Sequence, residues 1–211
     1  VYETVQIGDQ LWTSSNLKVT RYRNGDEILT GYSGSEWSNL STGAYAASED
    51  DSANTDVYGY LYNWYAVVDS REIAPEGWHV PTDEEWTTLT NIVGSDAGSK
   101  LAGRADLWTD GDLENNAEFG TSGFNGLPAG NRGSDGGYGN FLHVGFFWSR
   151  SGDAGSNAWS HYLVWYNSEV ESGSYETKTG FSIRCIKTLP VSLSLNSWNE
   201  PTQNYSKIIP K

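Results

Sequence analysis

Between Tyr58 and Trp86 the chain reads YGYLYNWYAVVDSREIAPEGWHVPTDEEW, and this stretch holds four Tyr and three Trp. Aromatic side chains of this size dominate core energetics wherever they are buried. No other segment of the chain is as dense in them, so the fold has to be built around it. Leu61, Trp64, Tyr65 and Val68 fall at i, i+3, i+4 and i+7, which predicts a short amphipathic helix over 59–69. Pro75 and Gly77 close the connection that follows. Thr82 then stands three residues before Glu85, with Pro81 just before it and Gly94 just after Val93. That is a capping box and a stop signal, and it predicts a helix over 82–93. Trp86, Leu89 and Val93 form its inward face, and Asp83, Glu84 and Glu85 sit at the positive end of its dipole.

Composition narrows the class. With 211 residues, one core plus a tail is workable. Aromatic residues make up 14% of the chain and charged residues only 19%, and 24 Gly stand among many Ser, Asn and Asp. Such a chain is loop-rich, with its few elements pinned by large rings. The formal charge of −14 excludes a nucleic-acid binder, which needs a basic face that 13 Lys and Arg among 27 acids do not make. A single cysteine, Cys185, forbids an intrachain disulfide. The absence of Met suggests a processed or partial product. No apolar run approaches the roughly 20 residues of a membrane helix. A soluble, exported protein is the expectation.

Taken in order, residues 1–13 alternate and turn at Gly8-Asp9, a β-hairpin signal. Asn24-Gly25 marks a second turn, and residues 30–55 read as an irregular region ordered by Trp37 and Tyr45 reaching inward. Glycine punctuates 98–145, leaving short strands around Phe124–Leu127 and Leu142–Phe147. Residues 144–150, 158–166 and 179–187 are alternating or aromatic-rich runs between turn residues, and predict three antiparallel strands. In the last of these Phe181, Ile183 and Cys185 share a face, while Ser182 and Arg184 point away. Cys185 is therefore expected to be a small buried hydrophobe.

Seven blocks in order, IGDQLW, NLKVTRYRNGDEI, YGYLYNWYAV, PEGWHVPTDEEW, GFNGLPAGNR, FWSR and GFSIRCIK, resemble the Fibrobacter succinogenes major paralogous domain over about residues 1–187. The resemblance implies an α+β domain similar to C-type lectins and to the formylglycine-generating enzymes. It would have two short helices, a small twisted antiparallel sheet and long loops, on an exported bacterial protein. It implies no reaction. Many members carry a cysteine before the GWHVP block, with Cys185 as the possible partner; here Ala74 stands in that place, and the bridge cannot form.

The residues give little support to catalysis. His79, between Trp78 and Val80, reads as structural, while His143 and His161 lie in neighbouring predicted strands with no acidic third ligand at a fixed spacing. An oxidase like the formylglycine-generating relatives would need two thiols. The expectation is a non-enzyme. Asp106, Asp110, Asp112 and Glu114 gather oxygen ligands around a glycine turn and suggest a Ca2+ site, although the spacing is not that of an EF-hand. Glu49-Asp50-Asp51 reads as a plain surface loop, and the sugar-binding triplets of calcium-dependent lectins are absent. Trp148, Trp159, Tyr162, Trp165, Tyr166 and Tyr175, set among Ser, Asn and Gly, have the composition of an adaptable recognition surface.

Residues 188–211 form a tail. Val191, Leu193 and Leu195 alternate with Ser and Asn and no charge occurs from Thr188 to Asn199, the pattern of a half-buried strand; Trp198, Ile208 and Ile209 add further anchors. Pro190 disfavours folding straight back. Extended, the tail spans on the order of 70 Å. The leading expectation is therefore a non-catalytic structural or adhesive protein, extracellular or at the bacterial surface, that assembles head to tail by adding this strand to a neighbouring copy. The alternatives are packing within the same chain, and a surface adhesin that holds glycan or a cell-surface protein through its aromatic C-terminal third. Asn39-Leu-Ser41 and Asn204-Tyr-Ser206 fit the glycosylation acceptor pattern.

Overall fold

Asn63 decides where the Tyr-rich segment stops being strand and becomes helix. In the computed structural model, which describes residues 2–153 and 155–188, its Oδ1 accepts from the N–H groups of Ala44 and Ala66, and its Nδ2 donates to the Thr42 carbonyl. The side chain thus ties down the neighbouring strand and caps a one-turn helix. The single helix expected over 59–69 is replaced by a strand, Tyr60–Asn63, followed by the helical turn Trp64–Val67. Pairing overrides the helical spacing. The strand is hydrogen-bonded on both sides, and Leu61 and Tyr62, pointing to opposite faces, are each buried in a different cluster. Gly59 makes the entry with φ 71°, and a Cβ there would lie 2.8 Å from the Leu17 carbonyl oxygen.

The elements run β1 (Thr4–Ile7), β2 (Gln10–Thr13), α1 (Gly34–Trp37), β3 (Tyr45–Ala47), α2 (Thr55–Tyr58), β4 (Tyr60–Asn63), α3 (Trp64–Val67), α4 (Asp83–Val93) and α5 (Ala97–Leu101). They continue with β5 (Asn131–Arg132), β6 (Tyr138–Gly139), β7 (Val144–Gly152), β8 (Asn157–Val164), β9 (Asn167–Glu176), β10 (Gly180–Phe181) and β11 (Ile186–Thr188). Three sheets result, in the orders β1-β2-β11, β3-β4-β10-β5-β6 and β7-β8-β9, and all their strand pairs are antiparallel. This is an α+β architecture with few, short helices. Among the described residues no helix is long and apolar enough to cross a membrane.

The expected hairpin at Gly8-Asp9 and the capped helix are present. Glu85 N–H donates to Thr82 Oγ1 while Thr82 N–H donates to Glu85 Oε2, and Trp86 and Leu89 are buried with Val93 partly so. Trp37 is fully buried, as expected, and Tyr45 half-buried. Phe124–Leu127 forms no strand: Phe124 is buried, but only Gly126 makes a bridge, to Ala102.

The C-terminal third departs most from expectation. The third strand of the long sheet is β9, whose sequence NSEVESGSYE hides its strand character because it is an edge strand with few buried residues. The run 179–187 instead divides, sending β10 to the five-stranded sheet and β11 to pair with β2. Phe181, Ile183 and Cys185 do share one buried cluster, while Ser182 and Arg184 on the other side are buried as well.

The sheet β7-β8-β9 divides the core. On one face Phe146, Trp148 and Val164 pack with Tyr62 and Phe181; on the other Phe147 and Leu163 pack with Trp12, Trp86 and Phe124. The segment from Leu189 onward, with the assembly residues Val191, Leu193, Leu195, Trp198, Ile208 and Ile209, lies outside the described residues.

Candidate functional site

Strand alternation decides which aromatic rings of the C-terminal third share a surface. In the register Ala158 faces Tyr175 and Tyr162 faces Glu171, so Tyr162 and Tyr175 lie on one side of the sheet and Trp159, opposite Ser174, on the other. The six rings read as one recognition surface are therefore divided. Trp148 is fully buried, its Nε1 donating to the Tyr62 carbonyl at 2.8 Å; it ties two sheets together and presents no ring to a ligand. Trp165 packs edge-on to His143 and Tyr166 at the β8–β9 turn, and of these Tyr166 is 55% exposed. Trp159 is partly exposed.

Tyr175 opens onto a cleft of about 430 Å³ between the ends of β8 and β9 and the glycine-rich β5–β6 hairpin. Beneath it Phe146 and Phe181 stack at 4.5 Å with an interplanar angle of 9°, and the Tyr175 ring stands at 86° to Phe181. Tyr162 backs Phe146 and Tyr175 from the side. The lining also includes Asn131 and Asn140 from the hairpin, Asn157 from β8, and Ser174 and Glu176 from β9; strand alternation turns the side chains of the last three to the face opposite Tyr175. Among the described residues, no Lys or Arg lines it.

The hairpin wall owes its shape to Arg132. That side chain is buried between the Trp37 and Tyr138 rings, 4.3 and 5.0 Å from their centroids, and donates to the Gly136 and Tyr32 carbonyls. Asn140 Nδ2 donates to Asn131 Oδ1 at 2.7 Å, which leaves the Asn131 amino group and the Asn140 carbonyl directed elsewhere. Among the described residues, the Asn157 and Glu176 side chains make no hydrogen bond. In the sequence the signal for this wall is the glycine-rich run GNRGSDGGYGN, which reads as loop.

The carboxylates of the expected calcium loop do not converge on one point, and Asp110 and Glu114 share the Asn115 amide as donor. Asp106 pairs with Arg104 at 2.8 Å, Asp110 accepts from Asn115 Nδ2, Glu114 accepts from the Gly111 N–H, and Asp112 is exposed. Among the described residues no group of three or more His, Cys, Asp or Glu side chains is placed to hold a metal ion.

The histidines are held apart. His143 Nδ1 contacts the Phe141 carbonyl, and the register sets Trp165, not His161, beside it. His79 contacts Glu85 Oε1 at 2.7 Å, while its backbone pairs with Ile186. His161 is buried, stacked on Trp86 at 5.2 Å, with Nε2 2.8 Å from Asp83 Oδ1. Burial holds its imidazole below the ordinary value of 6.5, against the opposing pull of Asp83. The unfolded chain accordingly takes up this proton first as pH falls. Stability should be intact above pH 6.5 and decline below it, down through the lowered folded-state pKa. Thermal unfolding at stepped pH should show that loss, and His161→Gln should flatten it.

Cys185 is fully buried and its thiol is pushed up to about 12 by burial, with Arg184 opposing. Ala74 lies in the same buried cluster, so the two positions that the family resemblance links share one part of the core.

The model of the Fibrobacter succinogenes major domain matches residues 5–187. The chain belongs to that family. No curated protein and no solved structure matches it.

Proposed function

We propose that this chain is a non-catalytic, extracellular adhesive domain of C-type-lectin-like type, which holds its ligand in the cleft beside Tyr175. The observation that carries the reading is the cleft itself. Its volume of about 430 Å³ falls in the range of ligand sites, with an aromatic floor and a few convergent polar groups. The groups an enzyme would draw on are engaged internally: His161 with Asp83, His79 with Glu85, and the Cys185 thiol inside the core. An acid-rich chain also resists indiscriminate association, so retention on a surface would report specific contacts.

The test is retention of the purified chain on bacterial or plant cell-wall particles in a sedimentation assay. Wild type should co-sediment, and Asn131→Ala and Tyr175→Ala should be retained about tenfold less, as expected for one lost contact of about 1.4 kcal/mol. Equal retention of all three would overturn the reading.

Head-to-tail assembly through residues 188–211 is the second reading. It draws support from β9, a ten-residue strand that ends its sheet, and from the period-two apolar pattern of the tail. Deleting residues 189–211 should convert multimers to monomers in light scattering, and an unchanged oligomeric state would sink it.

A further inference from the structure

The loops that meet at the start of β7 and the end of β8 break several local rules in one place. The β8–β9 connection is two residues long, Trp165-Tyr166, where two-residue hairpin turns favour glycine or asparagine at positive φ. Neither residue has a positive φ, and the ladder shifts register between Tyr162 and Val164 just before the turn. Leu142 does the opposite: a bulky residue is held at φ 65°. Both loops then expose large side chains, Tyr166 by 55% and Leu142 by 37%. Strain of this kind persists only where the surroundings fix it, and it collects at binding sites.

Three backbone bonds hold these pieces as one surface. Trp165 N–H donates to the His143 carbonyl at 3.0 Å, Thr109 N–H to the Leu142 carbonyl at 2.9 Å, and Leu113 N–H to the Trp165 carbonyl at 3.1 Å. Gly111 makes the close approach possible, because a Cβ there would lie 2.3 Å from the Trp165 carbonyl oxygen and 2.7 Å from its ring at Cε3. The loop thereby places Asp110 and Asp112 beside Trp165, one on each side of Gly111. Both are exposed; Asp110 accepts from Asn115 Nδ2, and the Asp112 carboxylate makes no hydrogen bond or ion pair among the described residues. His143 and Tyr166 stand edge-on to the indole, at 81° and 86°.

We propose that this surface docks a basic peptide segment of a partner protein, with an arginine side chain lying on the Trp165 or Tyr166 ring and pairing with Asp112. It is a second surface, at the opposite end of β9 from Tyr175, and it stands independently of the cleft. Trp and Tyr supply flat, rigid contact area at little cost in side-chain freedom, and their ring faces attract cations. Charge complementarity fixes the sign of the partner. Asp110 and Asp112 stand beside the rings and the formal charge of the chain is −14, so a basic segment is steered in and an acidic one repelled. Arginine fits better than lysine, because its planar guanidinium stacks on a ring while its N–H groups meet a carboxylate.

The experiment is a nuclear magnetic resonance titration of the full chain with a capped hexapeptide of alternating arginine and glycine, compared with the same peptide carrying lysine or glutamate in place of arginine. Shifts should centre on Leu142, His143, Trp165 and Tyr166. The arginine peptide should bind most tightly, and the glutamate peptide at least about tenfold more weakly. Tyr166→Ala and Asp112→Asn should each weaken the arginine peptide about two- to fivefold, the ordinary worth of one exposed cation–π contact or ion pair. Both side chains are exposed, so both variants should fold as wild type. Glu76→Gln removes the same charge from an exposed position in the turn before α4 and should bind as wild type.

The proposal is overturned if the glutamate peptide binds as tightly as the arginine one, if the shifts do not centre on the β8–β9 turn, if Glu76→Gln weakens binding as much as Asp112→Asn, or if Tyr166→Ala binds as wild type. Shifts at the turn that grow with protein concentration in the absence of peptide identify a second copy as the occupant and overturn the basic segment. Hydroxyl-radical labelling with the arginine peptide bound should protect Tyr166 and leave Tyr175 labelled, so this surface and the cleft are tested separately. Protection of Tyr175 with Tyr166 unchanged overturns the placement at the turn.

Discussion

Arg184→Met should destabilise the chain by about 3 kcal/mol, the cost of several buried carbonyl groups losing their donors, partly offset by removing a buried charge. Arg184 is fully buried and, among the described residues, has no carboxylate partner. Its guanidinium donates to Asn16 Oδ1 at 2.7 Å, to the Thr13 and Phe124 carbonyls at 2.8 and 2.6 Å, and to the Asn125 carbonyl at 2.6 Å. It also lies over the Phe124 ring, 4.6 Å from the centroid. Burial pulls the pKa down to about 9, so the side chain is still charged at neutral pH. One fork therefore joins three otherwise separate pieces of chain: the end of β2, the loop at 124–125 and the segment before β11. Arg184→Lys should recover little, because a single ammonium group cannot reach the same spread of acceptors. Urea unfolding followed by tryptophan fluorescence measures both. A loss under about 1 kcal/mol for the methionine variant would mean that the carbonyls find other partners.

Trp148→Ala should cost about 3–5 kcal/mol, the usual range for truncating a buried Trp. The ring is 4.5 Å from Phe181, its Nε1 bond to Tyr62 crosses from one sheet to another, and it is fully buried. The comparison with Trp159→Ala is informative because that ring is partly exposed and joins none of the buried clusters. It should cost no more than about 1 kcal/mol, as surface changes usually do. Chemical denaturation of the two variants side by side gives the contrast, and equal losses would contradict the assignment of Trp148 to the core.

How much of the fold is legible in the sequence follows from the range of the interactions. The helix Asp83–Val93 was readable because its signals are local: Thr82 and Glu85 cap each other across three residues, and Gly94 ends it. The turn at Gly8-Asp9 was readable for the same reason. The strand Tyr60–Asn63 was not, because its spacing also fits a helix and only pairing with β3 and β10, from distant parts of the chain, decides between them. β9 was missed because an edge strand with polar residues on both faces lacks the alternation that marks a half-buried one.

The candidate site divides along the same line. Tyr175 and Tyr162 stand out in the sequence by residue type, and the structure places both at or behind the cleft. Asn131, Asn140, Asn157 and Glu176 come from three separate stretches and carry no motif, so only the fold brings them together. Trp148 stands out only by composition, which does not separate a core ring from an exposed one in a strand where Val144 through Ser149 are all buried.

The measurement that bears most directly on the adhesive cleft is hydroxyl-radical footprinting of the full chain, free and retained on the cell-wall particles. Tyr166, 55% exposed at the β8–β9 turn, and Trp159, on the opposite face from Tyr175, serve as internal references outside the cleft. Protection of Tyr175 on retention, with Trp159 and Tyr166 still labelled, is the predicted result. Protection of Trp159 or Tyr166 with Tyr175 unchanged would contradict it and move the binding surface elsewhere.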